Sequence, residues 1–138
     1  MKTGLLILSL LFVTAGQAPQ EAPKVTSATL QGNWAVASFN GETVPAEAEA
    51  YLVFTGDKYE QWTGSNVDER GTIKLDTSKK PMAIDLIIVE GGDAGKTQLG
   101  VFEIDGDTLS ITLTTPGNTT RPAALGQGEI HVVLKKAK

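Results

Sequence analysis

The residues that most resemble a chemical motif are Gly91–Thr97, with the sequence Gly-Gly-Asp-Ala-Gly-Lys-Thr. A phosphate-binding loop has a glycine, four further residues and then Gly-Lys-Ser/Thr, and it leads into a helix whose N-terminus faces the phosphate. In this chain Glu90 occupies the position of the first glycine, and the residues from Thr97 to Ile104 have the pattern of a strand. We therefore interpret this segment as a glycine-rich hairpin loop and not as a nucleotide site.

Few side chains are available for catalysis or metal binding, since His131 is the only histidine and the chain contains no cysteine. A zinc site of histidine and cysteine lacks ligands, and no segment has the ligand spacing of an EF-hand calcium loop. A Ser-His-Asp arrangement would have to use His131, which lies between Ile130 and Val132 and is predicted to face solvent. We therefore expect no enzymatic activity, no metal and no cofactor.

Two carboxylates lie inside apolar segments: Asp85 within Met82–Val89, and Glu103 within Thr97–Ile104. Burying an unpaired carboxylate costs several kcal/mol, so each must face solvent or meet a cation. We favour a structural role in which Asp85 ties a strand to a loop. In the alternative, Asp85 is a polar anchor inside a ligand cavity. The candidate cations are Arg121, Lys74 and Lys96.

The aromatic residues suggest how a core and a cavity are lined. Trp34 follows a glycine near the start of the first predicted strand, where its ring can close one end of a barrel. Trp62 lies between two polar residues and is a candidate for the mouth of a cavity. The residues predicted to line a ligand cavity are Trp62, Tyr51, Tyr59 and Asp85. The residues predicted to have structural roles are Gly32, Trp34 and Arg121.

These side chains are positioned by short alternating segments that end at Gly, Asp, Asn or Pro, which is typical of antiparallel strands with one buried face. Asp105-Gly106 favours a two-residue hairpin turn, and Pro45–Ala50 suits one or two helical turns. Closing the strands into a barrel removes exposed sheet edges. We therefore predict an all-β, eight-stranded antiparallel up-and-down barrel with one short helical segment. The predicted strands are Leu30–Phe39, Tyr51–Phe54, Lys58–Thr63, Gly71–Asp76, Met82–Val89, Thr97–Ile104, Leu109–Thr114 and Glu129–Lys135.

One long irregular loop, residues 115–128, separates the last two predicted strands. Met82–Val89 is apolar on both faces apart from Asp85, so its outer face should be covered. We expect the long loop or the helical segment to provide that cover.

The N-terminal residues predict export. Residues 1–18 have a lysine, an apolar centre and a small-residue end, as in a secretory signal peptide, with cleavage after Ala15 or Ala18. The apolar stretch is shorter than the roughly 20 residues of a membrane-spanning helix, so no membrane anchor is expected after cleavage. Residues 19–28 are predicted to be a flexible leader, and residues 29–138 the barrel domain. The protein is therefore expected in the periplasm or outside the cell.

The formal net charge of −4 is small, and the sequence contains no cluster of lysine and arginine residues of the kind that binds phosphates. Both observations argue against nucleic-acid binding. Without disulfides, an exported domain must be stabilised by its hydrophobic core.

Nearly the whole predicted domain resembles a family of small, exported, lipocalin-like domains of uncharacterised function from planctomycete-type bacteria. The densest match runs from Gly95 through Leu99-Gly100-Val101-Phe102-Glu103 to Leu109. The other matching stretches are Leu30–Trp34, Leu52–Tyr59, Gly71–Asp76, Lys79–Leu86, Pro116-Gly117 and Arg121-Pro122. A departure is Leu125, at a position where the family often has an aromatic residue, which implies different packing of the long loop.

Gly32-Asn33-Trp34 is also similar to the Gly-x-Trp signature of the wider lipocalins. That resemblance implies that Trp34 packs at the closed end of the barrel beneath a basic side chain, either Lys135 or Arg121. It implies a lipocalin-like fold and brings no agreed catalytic residues, so activity does not follow from it.

Two functions are expected from these observations. The first is binding of a small hydrophobic ligand within the barrel. The second is a cell-envelope protein-interaction or inhibitor module whose barrel is filled, with contacts through the long loop or the helical segment. A continuous internal cavity above roughly 300 Å³ would favour the first.

Overall fold

Tight turns join most successive strands in the computed structural model, which describes residues 25–137. At Gly106, φ is 57°, a left-handed conformation that glycine adopts without steric cost. Each short turn brings the next strand back antiparallel to the one before it. The strands are β1 Gly32–Phe39, β2 Glu42–Thr43, β3 Ala50–Thr55, β4 Lys58–Thr63, β5 Asn66–Asp76, β6 Met82–Glu90, β7 Thr97–Asp105, β8 Thr108–Leu113 and β9 Ile130–Lys136.

Eight of these strands form a closed barrel. The order is β1-β3-β4-β5-β6-β7-β8-β9, and β9 pairs back onto β1, with Trp34 opposite Lys136. The two-residue strand β2 pairs only with the end of β1. The predicted all-β, eight-stranded antiparallel up-and-down barrel is therefore confirmed, and it is consistent with a lipocalin-like fold. The predicted helical segment is the 3-10 helix Ala46–Ala48.

The core fills the interior from alternate positions of the strands, because successive side chains of a strand point to opposite faces. Large apolar side chains that face inward are almost fully buried. They include Phe54, Tyr59, Ile84, Leu86, Phe102, Leu109, Ile111 and Leu134.

One end of the barrel is closed by Trp34, which is 1% exposed. Its indole Nε1 donates a hydrogen bond to the carbonyl oxygen of Leu30 at 2.8 Å. Leu30 is fully buried and ends the single-turn helix α1, Ser27–Leu30. The Nζ atom of Lys136 lies 4.7 Å from the centre of the Trp34 ring and donates to the carbonyl of Gln31. We call this the closed end.

The basic side chain over Trp34 is therefore Lys136, and the expectation of Lys135 or Arg121 was wrong. Lys135 precedes it by one residue and so points outward, where its Nζ donates to Thr108 Oγ1 at 2.7 Å. Arg121 lies on the outer wall of the barrel.

The long loop between β8 and β9 folds back over the outer face of β6, β7 and β8. Beneath it, Ala83, Val101 and Thr112 are buried although their positions point out of the barrel. The Thr112 hydroxyl accepts a hydrogen bond from the backbone N–H of Gly126 at 2.8 Å. The predicted cover of the outer face of β6 is therefore present at Ala83 and does not extend to Val89, which is 58% exposed.

Most predicted strand ends lie within two residues of the observed ones, and two boundaries differ by more than that. Residues 25–28, predicted to end the flexible leader, belong to the folded domain, since Val25 packs against the core and α1 begins at Ser27. Strand β5 begins at Asn66 and not at Gly71, because its polar first residues complete the ladder with β4.

The predicted signal peptide and the rest of the leader lie outside the described residues. Within residues 25–137, no helix is long and apolar enough to cross a bilayer.

Candidate ligand cavity

A cavity of about 270 Å³ opens at the end of the barrel opposite Trp34. We call this the open end. Its walls are apolar side chains from strands on both sides of the barrel, and the half-exposed Phe39 stands beside it. The apolar lining residues are Val36, Phe39, Val44, Ala50, Leu52, Leu86, Ile111, Leu113, Val132 and Leu134.

Three polar residues line the same cavity: Gln61 and Thr63 on β4, and Asp68 on β5. The Thr63 hydroxyl donates a hydrogen bond to Asp68 Oδ2 at 2.6 Å. Asp68 reaches this position through a β-bulge, because Gln61 pairs with Glu69 and Trp62 with Val67, which leaves Asp68 without a ladder partner. Bulges re-aim side chains in this way at barrel rims. We call Gln61, Thr63 and Asp68 the polar mouth.

A second polar pair, Tyr59 and Glu69, lies deeper in the wall. The Tyr59 hydroxyl donates to Glu69 Oε1 at 2.8 Å. Burial, followed by the bond to Glu69, raises the pKa of Tyr59, so this hydroxyl stays protonated. Burial also raises the pKa of Glu69 above its ordinary 4.5, although the bond from Tyr59 opposes that shift.

The Tyr59 ring fits only because residue 71 is glycine. A Cβ atom at Gly71 would lie 2.6 Å from Tyr59 Cε1 and 2.1 Å from the carbonyl oxygen of Ile87. Any side chain at this position would therefore displace the ring or the neighbouring strand.

Of the four predicted lining residues, Tyr51 and Trp62 contribute to the cavity wall. They pair directly across β3 and β4, at positions that alternate with the inward-facing Leu52 and Gln61. Both residues also border a groove on the outer wall beside Asn33 and Glu60.

The structure does not bring Tyr59 or Asp85 into the cavity. Tyr59 is a core residue, because its ring fills the space over Gly71. Asp85 points out of the barrel, since it is opposite in phase to the inward-facing Ile84 and Leu86.

Asp85 is instead tied to the long loop by Arg121. Arg121 Nη2 lies 2.7 Å from Asp85 Oδ1, and both side chains are 27% exposed. Arg121 Nη1 also donates to the carbonyl oxygens of Gly100 at 2.8 Å and Ile84 at 3.3 Å. The favoured structural interpretation of Asp85, with Arg121 as its cation, matches this arrangement.

His131 lies on the outer wall beside the long loop. Its Nδ1 is 2.7 Å from Thr112 Oγ1, and the residue is half-buried, so it is less exposed than its phase in the sequence suggested. Among the described residues, no group of three or more His, Asp or Glu side chains is arranged to hold a metal ion.

The residues of the polar mouth were not among those predicted from the sequence to line the cavity. Gln61 and Thr63 could have been found, because they share the phase of Tyr59 along β4. Asp68 carried no such signal, since only the bulge turns it toward the cavity.

Comparison of the chain with protein-family models, curated proteins and solved structures finds no significant match. The candidate site therefore rests on its own geometry.

Proposed function

We propose that this protein is a binding protein that takes a small, mainly apolar molecule into the barrel through the open end. The observation that carries the proposal is the cavity of about 270 Å³, which has apolar walls and a polar mouth. Ligand pockets generally have this composition, with few polar groups that fix the orientation of the ligand.

The cavity volume limits the size of the ligand. It lies just below the roughly 300 Å³ that would by itself favour ligand binding over a filled barrel, so the proposal depends on the apolar walls and the polar mouth together with the volume. At about 30 Å³ per water molecule in the liquid, the cavity corresponds to about nine waters, and so to a ligand of about nine non-hydrogen atoms. The proposed ligand therefore has a short chain or a single ring.

We further propose that the chain is an exported lipocalin-like domain. The support is the signal-like sequence of residues 1–18 and the Gly-x-Trp residues, whose tryptophan closes one end of the barrel beneath Lys136.

Straight-chain alcohols from butanol to dodecanol test the proposed cavity by isothermal titration calorimetry. Each CH₂ buried contributes about 0.8 kcal/mol, so the affinity should rise about fourfold per carbon. The rise should stop near octanol, when the cavity is full.

Ala50→Leu places extra carbon atoms inside the cavity, so it should weaken octanol binding and move the plateau to shorter alcohols. Ala48→Leu is the matched control, because Ala48 is exposed two residues away. An affinity that does not depend on chain length, or an Ala50→Leu variant that binds like the control, would contradict the proposal.

Native mass spectrometry of protein taken from its own cell envelope separates this function from the interaction module. A bound small molecule of defined mass supports the proposal, whereas protein without a small molecule but with a co-purifying partner contradicts it.

A further inference from the structure

We infer that the ligand of this cavity is a cationic amphiphile, a primary aliphatic amine whose ammonium group sits at the polar mouth. The inference rests on the proposed function, because it specifies the head group of the molecule that the cavity would bind. The observations that carry it are the residues at the mouth and the charges around it.

The polar mouth is suited to a donor with a positive charge. An ammonium group has three N–H donors and no acceptor. The Asp68 carboxylate, the Gln61 side-chain carbonyl and the Thr63 hydroxyl oxygen can each accept a hydrogen bond, and all three residues line the cavity. A carboxylate head group would instead be repelled by Asp68.

Asp68 is free to serve as the counter-ion. Within residues 25–137, its carboxylate accepts a hydrogen bond from Thr63 and no lysine or arginine lies within ion-pair distance.

The basic side chains at the open end are already engaged by other carboxylates. Arg70 Nε lies 2.7 Å from Glu60 and its Nη1 3.1 Å from Glu90. Lys96 Nζ lies 3.2 Å from Asp93. Neither cation therefore neutralises Asp68.

The loops and strand ends around the open end carry an excess of negative charge. Apart from Glu60 and from the Arg121–Asp85 pair on the outer wall, eight acidic residues and two basic residues lie there, and Glu49 stands against the β4–β5 turn at Gly64. The acidic residues are Glu42, Glu47, Glu49, Asp68, Glu69, Glu90, Asp93 and Glu129, and the basic ones are Arg70 and Lys96.

The closed end is close to neutral by comparison. Its described residues include six lysines and five acidic side chains. The lysines are Lys58, Lys74, Lys79, Lys80, Lys135 and Lys136, and the acidic residues are Asp57, Asp76, Glu103, Asp105 and Asp107. The negative potential is therefore concentrated where a ligand enters, which raises the local concentration of cations and disfavours anions.

Three probes with the same chain test the inference: octylamine, octan-1-ol and octanoate, compared by calorimetry at neutral pH and low salt. We expect octylamine to bind about tenfold more tightly than octan-1-ol, and octanoate to bind most weakly, since hydrogen bonds to a charged group contribute about 1.5–3 kcal/mol. Added salt should weaken amine binding and leave alcohol binding unchanged.

Asp68→Asn keeps an acceptor for Thr63 and removes the charge, so it should lower the amine-to-alcohol affinity ratio to near one. Asp105→Asn is the matched control, because it removes one exposed charge at the closed end from a turn that favours asparagine equally. Circular dichroism shows whether each variant is folded. If the Asp68→Asn variant does not fold, the salt dependence of amine binding to the unmodified protein tests the inference instead.

The outcomes separate the two proposals. Binding of octan-1-ol without a preference for octylamine overturns the inference and leaves the proposed function in place. Failure of all three probes to bind overturns the proposed function and the inference with it.

Discussion

At the scale of single residues, the pair Tyr59–Glu69 shows how one buried polar contact depends on distant positions. The hydroxyl–carboxylate bond of 2.8 Å satisfies two groups that burial would otherwise penalise. The sequence identified Tyr59 as an aromatic residue near a cavity, but its depth depends on the missing side chain of Gly71 and its partner on the register of β5. Neither of these is visible in the local pattern.

Glu69→Gln should change how stability depends on pH. The folded-state pKa of Glu69 is raised above its ordinary 4.5, so the folded protein binds this proton more tightly than the unfolded chain does. The resulting stabilisation is complete below the unfolded pKa and is lost as pH rises through the folded pKa. Glutamine keeps an acceptor for Tyr59 and does not titrate, so the melting temperature of the variant relative to the unmodified protein should increase as pH rises above 4.5.

Thermal melts from acidic to neutral pH measure this difference. Glu103→Gln is the matched control, because it makes the same substitution at an exposed position on the outer wall, away from Tyr59. A difference in melting temperature for Glu69→Gln that does not change with pH would show that Glu69 does not titrate with a raised pKa.

At the scale of elements, the long loop behaves as part of the barrel wall. Arg121 joins it to β6 through Asp85 and to the carbonyl of Gly100 on β7. At the end of the loop, Glu129 accepts hydrogen bonds from the N–H of Thr115 at 2.8 Å and the side chain of Asn118 at 3.1 Å. Hydrogen bonding from Thr115 is the main reason that the pKa of Glu129 is lowered.

Arg121→Ala should destabilise the protein by about 1–2 kcal/mol, a value below that for fully buried pairs because both partners are 27% exposed. The loss arises because Asp85 is left without its cation and two carbonyls lose a donor. The free energy of unfolding in urea measures it.

The double variant Arg121→Ala with Asp85→Ala isolates the pair. It should lose less stability than the sum of the two single variants, since no uncompensated charge remains. Arg70→Ala, which breaks the two surface ion pairs with Glu60 and Glu90, should cost less than Arg121→Ala. If the losses of unfolding free energy for Arg121→Ala and Asp85→Ala simply add in the double variant, the two side chains do not stabilise each other.

At the scale of the whole molecule, the sequence was sufficient for the barrel and insufficient for its open end. The alternation of apolar residues in segments such as Leu109–Leu113 specified which face of each strand is buried, and the glycine turns specified antiparallel neighbours. The first residues of β5 were missed because Asp68, Glu69 and Arg70 give that segment no apolar alternation. The polar mouth depends on the bulge within those same residues, so the site was harder to predict than the fold.

Trp34→Phe should destabilise the barrel by about 1–3 kcal/mol, because it removes buried ring atoms and the hydrogen bond to the Leu30 carbonyl. Lys136→Met keeps the side-chain volume over the ring and removes both the cation and the donor to the Gln31 carbonyl, so it should cost about 1–2 kcal/mol. Urea unfolding of both variants measures the two contributions. A larger loss for Lys136→Met would mean that the ammonium group, and not the indole, holds the closed end together.

The pairing of β1 with β9 also has a kinetic consequence. The other barrel pairings join strands that follow one another along the chain, whereas this one unites Trp34 with Lys136. The chain between β1 and β9 forms a long loop, and closing that loop costs conformational entropy before the two strands can pair. Pairing of β1 with β9 should therefore limit the folding rate. A circular permutant that joins the end of β9 to the start of β1 and begins the chain at Asp105-Gly106 would make β9 and β1 a hairpin. In that permutant β7 and β8 would be the strands that are far apart in sequence and pair last.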